Sequence, residues 1–150
     1  MFALCKEKSR EKMKLLTFQA SRFAWKSFSK TLETAPDADV EREVHDALVV
    51  FVHVEAEDQP PQRRTRAFKH TLKHLKWLAN KRELKTVVLH TFTHLGGENA
   101  DPEFAQAFLD DLDERLSATG YTVAQTPFGY FCSWELAVYG DSLAKVWKQI

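Results

Sequence analysis

His94 and Cys132, together with the pairs His90/His94 and His70/His74, are the side chains whose type and spacing invite catalytic or metal chemistry. His94 follows an apolar strand pattern and precedes Leu95-Gly96-Gly97, and open α/β sheets commonly carry functional groups at such strand-to-loop junctions. Two readings of it stand, a functional histidine and a loop-capping one. Four residues along a strand span about 13 Å, so His90 and His94 share no ion unless the chain turns sharply between them. On a helix His70 and His74 could share one, but no third ligand is evident and a solvated face is the expectation. No metal is expected. The Gly96-Gly97 pair has no GxGxxG or GKS context, so a phosphate-cradling loop is unsupported and no cofactor is expected.

Strict alternation from Phe128 puts Tyr130, Cys132, Trp134, Leu136 and Val138 on one strand face, and Gly129, Phe131, Ser133 and Glu135 on the other. Cys132 then reads either as a small core residue or as a nucleophile paired with His94, and no local signature marks the second. Cys5, the other cysteine, is too far along the chain to suggest a zinc knuckle or a disulfide framework.

These groups need a scaffold, and 150 residues with 44% hydrophobic content suffice for one buried core. No run approaches the roughly 18 apolar residues of a membrane span, and the segment Met1 to Cys5 is too short for a signal peptide, so a cytoplasmic protein is expected. The formal charge is zero, yet the signs are segregated. Gln62 to Arg82 holds eight basic residues and no acidic one, whereas Asp101 to Glu114 is acidic throughout. Only the basic element is suited to a phosphate backbone, and a solvated helix face is its commoner meaning.

Along the chain, residues 1–12 read as a tail, with Met13 an alternative initiator. Lys14 to Ser29 alternates with a break near Ala20-Ser21-Arg22, which predicts a hairpin. Ala47 to Glu55 is β-branched and continuously apolar, predicting a central strand. Pro61 opens a helix to about Asn80 with Phe68, Leu72, Leu75 and Ala79 as its core stripe. Thr86 to Phe92 is a second buried strand. Asp101-Pro102 marks an N-cap, and Phe104, Phe108, Leu112 and Leu116 define the next helix, which Gly120 ends. A short strand at Tyr121 to Ala124, a long one at Phe128 to Tyr139 and a terminal helix at Ser142 to Ile150 complete a single α/β domain, 13–150, with a mixed sheet and about three helices.

Three segments carry a resemblance. Met13-Lys14-Leu15-Leu16, Phe92-Thr93-His94-Leu95 and Thr126-Pro127-Phe128-Gly129-Tyr130-Phe131, in this order and separation, resemble the archaeal-type editing domain of threonyl-tRNA synthetase over about Met13 to Lys148. The resemblance implies the D-aminoacyl-tRNA deacylase-like fold, a homodimer, and hydrolysis of serine wrongly esterified to threonine tRNA. It implies that His94 is catalytic, with Cys132 at a second catalytic position, and that Thr93, Pro127, Phe128, Gly129, Tyr130, Phe131 and Lys145 line the aminoacyl-adenosine pocket; on the basic helix, Arg63, Arg66, Lys69 and Lys73 are the candidates for tRNA phosphates. The family's tyrosine, lysine and glutamate fall at Phe131, Cys132 and Lys145, so three of the four matched catalytic positions differ. The chain is expected to act as a stand-alone deacylase or in trans to a synthetase, or alternatively as a non-catalytic binding or dimeric module.

Overall fold

A computed structural model describes residues 13–150; the expected tail, residues 1–12, lies outside the described residues. The elements run β1 (Lys14–Lys30), β2 (Glu41–His53), a 3₁₀ turn (Ala56–Asp58), α1 (Pro61–Lys81), β3 (Thr86–Thr91), α2 (Pro102–Ala118), β4 (Thr122–Gln125), β5 (Tyr130–Val138), a second 3₁₀ turn (Ser142–Ala144) and β6 (Lys145–Gln149). They form one six-stranded mixed sheet of order β4-β3-β2-β1-β5, with β6 also on β1. The β2/β3 and β3/β4 pairs are parallel and every pair involving β1 is antiparallel.

The helices form where their apolar stripes predict. α1 starts with Pro61, whose missing N–H falls among first-turn donors that have no intrahelical acceptor anyway. Its stripe, Phe68, Leu72, Leu75 and Ala79, is buried against one sheet face beside Phe108, Leu112 and Leu116 of α2. Gly120 follows α2 with φ 101°, a left-handed turn in which a β-carbon is unfavourable. Asp101 precedes Pro102 as expected, but its side chain does not cap the helix; it accepts from Gln59 Nε2 at 3.2 Å instead.

Two expectations are corrected. Ala20-Ser21-Arg22 is no hairpin turn: β1 runs through it unbroken, because β2 pairs with it from Lys14↔His53 to Lys26↔Glu41. The polar trio marks a bend instead. Asp46 has φ 50°, the β5 register shifts between Ala20 and Arg22, and Arg22 bonds Glu43 at 2.9 Å and Glu135 at 3.0 Å on the two flanking strands. The expected terminal helix is likewise absent, leaving two α-helices among the described residues. β5 leaves the edge of β1 at Ala20, so the backbone groups of Lys14 to Phe18 that face away from β2 would lack partners; Lys145–Gln149 pairs with them as a strand.

The bend folds the sheet over its own second face. Phe51 pairs with Leu16 and Trp134 with Trp25, nine residues further along β1, which in a flat strand would be about 30 Å away. The Phe51 and Trp134 rings are nevertheless 5.3 Å apart. A second core of Phe23, Trp25, Val49, Phe51 and Val88 fills this fold, and among the described residues no helix contributes to it.

Candidate functional site

His94 stands just past the C-terminal end of β3. Phe92 still donates its N–H to Val52 O at 2.9 Å, and then Thr93 and His94 are exposed, with the His94 ring edge-on to Phe92 at 5.2 Å. The loop is tied down on both sides of that histidine. The Leu95 N–H donates to His53 Nδ1 at 3.3 Å, His53 Nε2 meets Asn99 Oδ1 at 2.8 Å, and the Ala56 N–H donates to Glu98 O at 2.8 Å. Because Nδ1 accepts from Leu95, the hydrogen-bond pattern assigns the ring proton to Nε2, which donates to Asn99. In that tautomer the 3.7 Å approach of His53 Nδ1 to Glu55 is not an ion pair.

Beneath the loop lies a buried charge pair. Lys14 Nζ is 2.7 Å from Glu55 Oε2, and both side chains are almost fully enclosed. Asp58 closes this end of the sheet: Oδ1 accepts the Met13 N–H at 3.2 Å and Oδ2 the Glu55 N–H at 2.8 Å. Burial pushes the Asp58 carboxyl above its ordinary range, against the lowering effect of those bonds. Sequence reasoning missed Lys14, His53, Glu55 and Asp58. A signal was present, since His53 and Glu55 are the two polar residues of an otherwise apolar strand and, two apart, they share one face.

A path of ring contacts leads from His94 to β5. Phe92 meets Phe51 at 5.2 Å and Phe51 meets Trp134 at 5.3 Å, two residues from Cys132. The structure thus puts the His94 loop and the Cys132 strand on one side of the folded sheet. No hydrogen bond joins the two side chains among the described residues. Burial raises the pKa of the half-buried Cys132 thiol, so at neutral pH it is a protonated thiol rather than a thiolate. Phe131 points the opposite way and is 57% exposed, as strand alternation predicts. Lys145, expected on a helix, is the first residue of β6, and its ammonium donates to Gly140 O at 3.2 Å.

The segment before β5 does structural work. The Thr126 hydroxyl meets His90 Nδ1 at 2.8 Å, and Phe128 packs on the helix-side core. Gly129 has φ 81°, and its carbonyl accepts from Thr31 and Leu32 at 2.7 and 3.2 Å. The Tyr130 hydroxyl donates to Pro36 O and accepts from the Ala38 N–H, both at 2.9 Å. These bonds fasten β5 to the β1–β2 connection.

The basic helix divides. Arg64 is spent on Asp111 of α2 and lies over Phe68 and Phe108, while Arg82 binds Gln19 and Asp141 and covers Tyr139. Arg63, Arg66 and Lys73 line an 870 Å³ groove between α1 and β6; Lys69 does not line it. His74, expected on a solvated face, is half-buried in the same groove.

Comparison with known proteins assigns a lineage to this arrangement. Residues 13–150 match the family described as the archaea-specific editing domain of threonyl-tRNA synthetase. Two relatives are the threonine–tRNA ligases of Thermofilum pendens, 33% identical over 141 residues, and of Methanosphaera stadtmanae, 30% identical over 143. In both cases 92% of this chain aligns with 22% of the ligase, so the chain spans about a fifth of these relatives. A solved structure titled c-Myc DNA Unwinding Element Binding Protein shares the fold, with a TM-score of 0.61 at 12% identity, covering 91% of this chain and 98% of that one. The architecture is the mixed-sheet, D-aminoacyl-tRNA deacylase-like one, with two helices.

Proposed function

Because this chain belongs to the archaea-specific editing-domain family of threonyl-tRNA synthetase, we propose that it binds the aminoacylated 3′ end of a tRNA and hydrolyses a mischarged aminoacyl ester. In this reading it works as a stand-alone homodimer or in trans to a synthetase, in the cytoplasm. The observation that carries the proposal is the placement of His94. It is exposed, on a loop fixed by His53 and Asn99, at the C-terminal end of parallel strands and beside the aromatic path to β5.

Ester hydrolysis needs a water held near the carbonyl and donors for the developing oxyanion. His94 orients that water and takes its proton. The family's tyrosine and lysine are replaced by Phe131 and Cys132, so oxyanion donors come from backbone N–H groups of the glycine loop and from the terminal ribose hydroxyl of the tRNA. Losing one oxyanion donor typically costs about 2.7–4 kcal/mol, so turnover is slow by roughly a hundred- to a thousandfold relative to a fully equipped site. Thr93, Pro127, Phe128, Gly129 and Tyr130 shape the aminoacyl-adenosine pocket, and Arg63, Arg66, Lys69 and Lys73 meet phosphates.

One observation favours the second reading, a binding or dimeric module without turnover. The group at Cys132 is a protonated, half-buried thiol where the family places a cation. The experiment is ester loss from seryl-threonine-tRNA and a panel of other aminoacyl-tRNAs with purified protein, alongside sedimentation to read the oligomeric state. Turnover that disappears in His94→Ala supports the hydrolase. Binding without turnover on every substrate replaces it by the module.

A further inference from the structure

The 870 Å³ groove between α1 and β6 joins a basic rim to an apolar floor. Arg66 and Lys73 come from α1 and Lys148 from β6, on the facing wall. Among the described residues none of these three forms an ion pair, in contrast to Arg64 of α1 and Arg82 at its C-terminal cap, which are paired with Asp111 and Asp141. Among the described residues Asp58 is the one acidic side chain on the walls, and its two oxygens accept from the Met13 and Glu55 amides. A concavity with unneutralised cations from two elements fits an anionic ligand. Arg66 and Lys73 are about 10 Å apart along the helix axis, a length of about three phosphates at the rise of a nucleic-acid strand. A single small anion would not use that length.

The rest of the lining separates an unpaired strand from a duplex. The floor is built from Ala67, Leu143 and Val146, and Trp77 stands at the wall with 47% of its surface exposed. A duplex presents phosphates on a convex rod and hides the faces of its bases, so it has no use for an apolar concavity. An unpaired strand exposes base faces that stack on aromatic and apolar walls while its phosphates follow the cations. His74 also lines the groove and is half-buried; its Nε2 lies on the inner side, buried without a hydrogen-bond partner among the described residues. Burial, and secondly Lys148, lower the His74 pKa, so it faces the ligand as a neutral ring.

We propose that the α1/β6 groove is a binding site for a short unpaired nucleic-acid strand, with phosphates on Arg66, Lys73 and Lys148 and base stacking on Trp77. This deepens the tRNA reading, since it names the single-stranded part of the tRNA as what α1 holds and replaces Lys69 by Lys148 among the contacts.

The test uses the full chain and fluorescence anisotropy with a labelled six-nucleotide single-stranded RNA, compared with a blunt duplex of the same sequence and with inorganic phosphate as competitor. The strand is expected to bind at least tenfold more tightly than the duplex, and millimolar phosphate is not expected to displace it. Together Arg66→Gln, Lys73→Gln and Lys148→Gln should weaken binding at least tenfold and reduce the slope of log affinity against log salt by about 2, at about 0.7 per phosphate contact. Trp77→Ala should weaken it roughly five- to a hundredfold, with Trp77→Phe recovering part of the loss and circular dichroism unchanged throughout. Equal binding of duplex and strand, or an unchanged affinity in the triple variant or in Trp77→Ala, overturns the proposal. Ester cleavage is measured in parallel. Turnover with groove-independent strand binding removes this inference and leaves the hydrolase standing; groove-dependent binding without turnover does the reverse.

Discussion

The imidazole of His90 and the hydroxyl of Thr126 meet at 2.8 Å in the interior, linking the strand that leads to His94 with the strand that leads to Pro127. His90 is 5% exposed and packs on Phe51 at 4.8 Å, and desolvation depresses its pKa from 6.5 to about 4. The unfolded chain therefore binds the proton more readily than the folded one between these values. The stability conferred by the neutral ring is complete above about pH 6.5 and is lost as pH falls towards 4, a contribution on the order of 3 kcal/mol. Urea unfolding at pH 7.5 and 4.5 should show that loss, and His90→Gln should remove most of it. His74 is shifted in the same direction and contributes to the remainder, together with the shifted carboxylates of Asp37, Glu43 and Asp58. An unchanged pH dependence in His90→Gln would contradict the assignment.

Gly96 sits where the His94 loop crosses the buried charge pair. A β-carbon there would be 2.3 Å from Lys14 Cδ and 2.7 Å from Glu55 Oε2, closer than atoms approach. Lys14 cannot swing away without giving up Glu55, so the loop must lift instead. Gly96→Ala is expected to cost about 1–3 kcal/mol, as overpacking does, and to release the Leu95 N–H from His53. The Leu95 amide resonance and its hydrogen-exchange protection report this directly. Protection equal to that of the parent would show that the loop tolerates the added methyl.

The contrast between the two kinds of element explains how much was legible in the sequence. Both helices, β3, β4 and β5 are readable because their side chains alternate or recur with one period, and the period reports the buried face. β1 and β6 are misread for a non-local reason. Ser21 is polar because the sheet bends there, and Lys145–Gln149 is a strand because β5 vacates the edge of β1; neither fact is contained in a local window. At the candidate site, His94 is singled out in the sequence by the glycine loop that follows it. Its supports, His53, Glu55 and Lys14, are hidden by strands that look like uniform core, and nothing in a local window shows that the Tyr130 hydroxyl bonds Pro36 and Ala38.

The Lys14–Glu55 pair should behave as a unit. Lys14→Met leaves the Glu55 carboxylate buried without its ammonium and is expected to cost about 3–5 kcal/mol. The double variant Lys14→Met with Glu55→Gln removes both charges and should be markedly more stable than Lys14→Met alone. Denaturant midpoints of the four proteins in this cycle give the coupling. Additive effects would mean that the two side chains do not support each other, and the loop above them would need another anchor.

The three altered family positions are not equivalent in space, which makes their reversal informative. Cys132 shares the inner face of β5 with Trp134, on the aromatic path from His94, whereas Phe131 projects outward and is 57% exposed. Cys132→Lys therefore brings a cation to the side of the sheet where His94 stands, and Phe131→Tyr adds a hydroxyl on the other side. If the chain is a hydrolase, Cys132→Lys should raise ester cleavage by roughly ten- to a hundredfold, a fraction of what one oxyanion donor is worth because the new side chain starts half-buried. Phe131→Tyr should stay within about twofold. Lys145→Glu replaces an ammonium tied to Gly140 O, and because Lys145 pairs with Phe18 while Cys132 pairs with Ser27, nine residues further along β1, it is expected to leave the Cys132→Lys gain within about twofold. Single-turnover deacylation of seryl-threonine-tRNA separates these outcomes. A gain from Phe131→Tyr equal to that from Cys132→Lys would show that the start of β5 rearranges on substrate binding and brings both side chains to the ester.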